Sequence, residues 1–311
     1  MRKVPTLRSG LALTRAANVG AILLLGLLII AGTGASQWTY HVAASTWGGT
    51  IAFRGEGNDW LISRGTRCAA RAVPDLRAAG PADDRPCPPA RFEAPQEIVS
   101  EVIEWREGTR IHFRRVPPDG RLVIRALDGG TAGFPADSQL VIPADVWQGH
   151  GALVFTGSVR IGGDMGTGAQ DYLIGGQWEA RQIGFLTSLV RDITEVVQKG
   201  ELTRGASVQV VGGAEPVISY GHITPAGIGD PGLEVVALSE RGRLSLQVAY
   251  FGLARPILFR PDWLDRILSS PVLIALTVLL TLILTVTELL VAIFAAGRGG
   301  RGEGSEGRTR H

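Results

Sequence analysis

The chain has 311 residues, a formal net charge of +2 and 45% hydrophobic content, which excludes a disordered polymer and leaves room for one sizeable globular domain or two small ones beside apolar segments. Its charge is unevenly placed: Arg2, Lys3, Arg8 and Arg15 open it, Arg298, Arg301, Arg308 and Arg310 close it, and the section between is slightly acidic. A nearly neutral middle gives a phosphate backbone little to hold, which argues against nucleic acid as a partner.

Residues 1–16 form a basic tail, and Ala17 to Ala35 is long and apolar enough, within a segment 17–36, for a first transmembrane helix. A signal peptide is the rival reading, because Gly32, Thr33, Gly34, Ala35 and Ser36 supply small residues for cleavage. Trp38 and Tyr40 favour a retained signal anchor, since aromatic rings sit well at a membrane interface. Residues 37–96 form a Gly/Pro-rich segment, within which 41–95 is broken by glycine and then by Pro81, Pro86, Pro88, Pro89 and Pro95 and reads as a loop pinned by Cys68 and Cys87. Those two cysteines lie outside any CxxC spacing, so in an oxidising compartment a disulfide is expected.

From residue 97 to 260 the pattern changes to a mainly β domain, sandwich or barrel-like. Arg110 to Val116 alternates Ile111 and Phe113 against Arg110, His112 and Arg114; Pro117, Pro118, Asp119 and Gly120 turn it into Arg121 to Leu127, a hairpin with one wet face. Further strands are expected at 139–142, 152–161, 172–182, 207–211 and 217–223, and a last hairpin joins 233–239 to 243–251. One stretch departs from period two. Phe185, Leu186, Leu189, Val190, Ile193, Val196 and Val197 recur at helical spacing, with Gly200 placed to stop an amphipathic helix.

Residues 261–270 read as a short interfacial helix with Trp263 as an anchor, leading into a second transmembrane helix over 271–296 and a tail, 297–311, too short to fold. Basic flanks favour the cytoplasmic side, so both termini are expected inside and the β domain outside the plasma (inner) membrane of a cell envelope. Within the second span Thr277, Thr281, Thr285 and Glu288 fall on one 80° arc at 100° per residue, a polar seam suited to another helix. Asn18 lies at a depth similar to Glu288 and is its expected hydrogen-bond partner within the chain; a separate membrane subunit is the rival.

Chemistry is thin. The run Gly162 to Asp171 lacks the lysine of a phosphate loop and reads as a hairpin loop; Asp164 and Asp171 match no calcium motif. Ser219 and His222, three apart on a strand, point to opposite faces. No catalytic, metal or cofactor set is assigned, and His112, His150, His222, Asp145 and Asp164 are the pool for a site assembled from distant residues. The first expectation is a noncatalytic scaffold or accessory subunit of a membrane assembly, in contact with the lipid bilayer and another envelope protein. An envelope enzyme acting on glycan, lipid or protein, and a carrier of an apolar ligand, are the alternatives.

Overall fold

The structure is a computed structural model. It describes residues 20, 26, 37–75, 85, 87–130, 134–149, 151–163, 170–183, 194–227, 232–262, 265, 268 and 271–299, with the side chains of 274–275 and 277–293 in the last stretch. The chain divides into two compact units, one of residues 37–183 with 196–261, the other of residues 1–36, 184–195 and 262–311.

The first unit is mainly antiparallel β, as composition and period two predict. Its opening strands are β1 (Trp38–Thr46), β2 (Gly48–Phe53) and β3 (Asp59–Cys68), followed by β4 (Gln96–Glu104), β5 (Arg110–Val116), β6 (Arg121–Asp128) and β7 (Gln139–Ile142). A one-and-a-half-turn helix, α1 (Ala144–Gly149), leads to β8 (Leu153–Ile161) and β9 (Leu173–Ile183). The remaining strands are β10 (Thr194–Leu202), β11 (Ser207–Gly212), β12 (Glu215–Pro216), β13 (Ser219–Pro225), β14 (Leu233–Ser239), β15 (Ser245–Ala249) and β16 (Ile257–Phe259). All pair in one sheet of order β10-β9-β1-β14-β13-β8-β2-β5-β6-β7-β3-β4, with β11, β12, β15 and β16 branching from β8.

Strand β8 is the seam. Its first half, Leu153 to Gly157, pairs with β13, and its second half, Gly157 to Ile161, pairs with β2. The change of partner falls at a glycine because a Cβ at 157 would lie 2.2 Å from the Ala52 carbonyl oxygen. Beside it the sheet curls back: the Trp60 indole donates to the Val154 carbonyl at 2.6 Å and the Thr156 amide donates to Asn58 Oδ1 at 2.6 Å. One continuous apolar core runs under both halves, with Phe53, Trp60 and Trp105 in mutual ring contact and Phe134 against Trp105, at 5.3–5.7 Å.

Several expectations are corrected. The loop expected over 41–95 contains most of β1 and all of β2 and β3, because alternating small and apolar residues let those glycine-rich runs pair with β9, β14, β5, β8, β4 and β7. Trp38 and Tyr40 are not interfacial anchors but interior residues of β1, 4% and 0% exposed. The Trp38 indole donates to the Leu244 carbonyl at 2.8 Å, and the Tyr40 hydroxyl donates to the Phe259 carbonyl at 2.7 Å. Burial pushes the Tyr40 phenol far above its ordinary range, so it stays a donor.

The amphipathic helix is also corrected where it can be compared: Thr194 to Val197 belong to β10, and the rest of that stretch lies outside the described residues. Gly200 is no helix stop; a Cβ there would meet the Trp178 indole nitrogen at 2.8 Å, so the residue lets β10 cross over that ring. Strands β14 and β15 stand close to the expected positions but do not form the expected hairpin, since β14 pairs with β1 and β13 while β15 pairs with β11 and β16. The turn between them is tied elsewhere, through Glu240 to the Ile218 carbonyl and through Gly242 to Trp38. Likewise the Gly162 to Asp171 segment joins β8 to β9, which are not neighbours, so it is a crossover and not a hairpin loop.

In the second unit α2 (Pro271–Gly299) is a single helix of 29 residues. Among the described residues no helix is long and apolar enough to cross a membrane. Before α2, the Asp265 amide donates to Asp262 Oδ1 at 2.8 Å and the Asp262 amide donates to Asp265 Oδ2 at 3.2 Å, a reciprocal cap that starts a helical turn.

Candidate functional site: an arginine-lined cleft

The hairpin β5–β6 supplies the floor. Alternation sends Ile111, Phe113, Leu122, Ile124 and Ala126 into the core, which leaves His112, Arg114 and Val116 facing outward beside Arg125, Val123 and Arg121, their direct cross-strand partners. Strand β7 extends that face with Gln139 and Val141. One wall is the segment after β3, where a disulfide joins Cys68 to Cys87 with Cα atoms 5.5 Å apart. Both cysteines are buried with Phe92, Val123 and Val141 in a small apolar cluster of their own, so the bridge seats this wall on the sheet. The opposite side is Trp47 with the chain entering β9, Gln170 to Tyr172, joined by the Trp47 amide donating to the Tyr172 carbonyl at 3.1 Å.

These parts enclose a cleft of about 1030 Å³. It is lined by Arg71, Arg85, Arg91, Arg114, Arg115, Arg121 and Arg125 against two carboxylates, Asp137 and Asp171, with Trp47, Phe92 and Tyr172 as its aromatic surfaces. Several guanidinia are held by the protein itself. Arg71 Nε donates to the Pro89 and Phe92 carbonyls at 2.9 and 2.8 Å, Arg115 Nη1 to the Gly232 carbonyl at 2.7 Å, and Arg125 Nη2 to Asp137 at 2.7 Å. Among the described residues, Arg91 and Arg114 make no ion pair with a carboxylate.

Asp171 is turned to a different partner. His112 Nε2 lies 2.7 Å from its Oδ2, and that hydrogen bond holds the carboxyl below the usual carboxylate range, opposed by burial and helped by the charge of Arg114. A Cβ at Gly163 would stand 2.8 Å from Asp171 Oδ1, so the carboxylate is packed as well as bonded. With seven arginines against two aspartates, the cleft keeps an excess of positive charge, which low-dielectric walls focus.

Of the residues marked from sequence, Cys68 and Cys87 are brought together, and among the described members of the catalytic pool only His112 reaches a carboxylate in a cleft. Asp145 pairs with Arg64 at 2.6 Å on the surface. Ser219 is buried whereas His222, on the other face of β13, is partly exposed. Thr281 and Thr285 donate to the Thr277 and Thr281 carbonyls at 2.8 Å, so these hydroxyls spend their protons within α2; Glu288 on the same arc is exposed. Asn18, His150, Asp164 and Trp263 lie outside the described residues.

Sequence reasoning missed the arginines. Their signal was present in the outward positions of one hairpin, His112 and Arg114 on one strand with Arg121 and Arg125 on the other, but the slightly acidic balance of the whole section concealed it. No family model matches the chain, and no curated protein or solved structure matches it.

Proposed function

We propose that this chain is a noncatalytic, membrane-anchored accessory protein of a cell-envelope assembly, whose β domain stands outside the inner membrane and recognises an acidic partner in the arginine-lined cleft. One observation carries the reading: seven arginines and two aspartates share a single cleft in a section whose overall charge is slightly acidic. A positive pocket in a neutral or acidic domain costs self-repulsion and has a use when an anion enters it. The two apolar segments and their basic flanks support the anchoring. The disulfide supports an oxidising compartment.

An enzyme reading rests on His112 and Asp171, which are paired at the cleft. A histidine oriented by a carboxylate is half of a general-base arrangement, yet among the described residues no serine or cysteine nucleophile lines the cleft beside it. The apolar-carrier reading has less support, because buried side chains including Phe53, Trp60, Trp105 and Phe134 pack together in the core. The test is purification of the full chain from membranes in mild detergent, with Arg91→Glu and Arg114→Glu introduced together. Loss of a stoichiometric partner, with the partner retained by an Arg160→Glu control outside the cleft, is the expected result. Full retention by the double variant contradicts the proposal.

A further inference from the structure

We infer that the cleft is built for a phosphoryl-bearing ligand, with a phosphate group seated between Arg91 of the disulfide-tied wall and Arg114 of β5; this rests on reading the cleft as an anion-recognition site. The geometry of the donors separates phosphate from carboxylate. A carboxylate is planar, offers two oxygens and is satisfied by one guanidinium fork, as Asp137 is by Arg125. Guanidinia in this cleft come from the floor and from the wall above it, so an anion that answers both must present oxygens in more than one plane. A tetrahedral phosphoryl group does so, and arginine is suited to it because its fork stays charged at every physiological pH.

The cleft also sorts its own arginines. Arg71, Arg115 and Arg125 are spent on backbone carbonyls or on Asp137, which fixes them as walls. Arg91 and Arg114 keep their forks free of carboxylate among the described residues, and Asp171, whose carboxyl feels the charge of Arg114, is hydrogen-bonded to His112 instead. At about 1030 Å³ the cleft lies at the upper end of ligand pockets of roughly 300–1,000 Å³ and far exceeds a lone phosphate. The part-exposed rings of Trp47 and Tyr172 would take the less polar body to which the phosphoryl group is attached.

The experiment is titration of the full detergent-solubilised chain with inorganic pyrophosphate, followed by calorimetry at about 0.15 M salt so that screening of exposed charges is realistic. Tricarballylate serves as a carboxylate probe of comparable charge, and short-chain phosphatidylglycerol as a lipid probe. Saturable binding of pyrophosphate, about tenfold or more weaker in either Arg91→Gln or Arg114→Gln and unchanged in Arg160→Gln, is expected from loss of one charge-assisted contact. Circular dichroism of each variant confirms that the fold is intact, and Arg114→Lys, which keeps charge but not the fork, is expected to recover only part of the affinity. Binding of phosphatidylglycerol at least as tight as that of pyrophosphate assigns the phosphoryl group to a lipid headgroup; preference for pyrophosphate assigns it to a soluble compound. Equal affinity for tricarballylate overturns the phosphoryl assignment while leaving anion recognition standing. Absence of binding by every probe overturns both.

Discussion

Asp171 shows how one side chain serves packing and charge together. It touches His112, lies under Gly163 and lines the cleft, and the His112 hydrogen bond keeps its carboxyl ionised below the ordinary range. A carboxylate whose folded pKa is depressed stabilises the fold fully above its unfolded value, about 3.9, and loses that contribution as pH falls through the lower folded value. Replacing it by Asp171→Asn is therefore expected to cost about 1–2 kcal/mol at pH 7, where a charged hydrogen bond is lost. The difference from the parent chain should shrink in acid, below pH 4. Urea unfolding of both proteins at the two pH values checks this, and a pH-independent difference would show that the carboxylate charge is not what the site uses.

Among the elements, β10 and the disulfide-tied wall give the sharpest tests. Gly200 passes so close to the Trp178 ring that Gly200→Val should overpack the β9–β10 contact and destabilise the domain by about 1–3 kcal/mol. A neutral melting temperature in that variant would mean that β10 does not cross the ring. Breaking the bridge with Cys68→Ser and Cys87→Ser together should cost about 2–4 kcal/mol and weaken pyrophosphate binding as well, because Arg71, Arg85 and Arg91 all stand on the chain it closes or just beyond it. Stability loss with unchanged affinity would separate the wall from the site.

Legibility at this scale followed local periodicity. Strands β5, β7 and β14 have the bounds that alternation gives, because each buries one face of a short run. Partners were not legible in the same way: β14 and β15 look like a hairpin locally, but the sheet assigns them to β1, β13, β11 and β16, a choice made by residues far away. Val196 and Val197 fit helical spacing, but as β-branched residues they also suit a strand, and pairing beside β9 decided for the strand. The cleft failed to show because a charge sum averages over faces that only the fold separates.

For the whole molecule, the disulfide, the cleft and the two apolar segments make one physical account. The wall that carries Arg71 and Arg91 is seated by a bond that persists in an oxidising compartment, so the proposed anion site and the proposed extracytoplasmic location stand or fall together. A cytosolic β domain would keep its cysteines reduced and leave that wall without its tether. Topology is thus the claim on which the functional reading turns. The most direct measurement inserts a paired reporter after Gly151, in the connection between α1 and β8: alkaline phosphatase, active only outside the inner membrane, and in a parallel fusion a fluorescent protein that matures only in the cytosol. The account predicts an active phosphatase and a dark fluorescent fusion, whereas a bright fluorescent fusion with inactive phosphatase would contradict it.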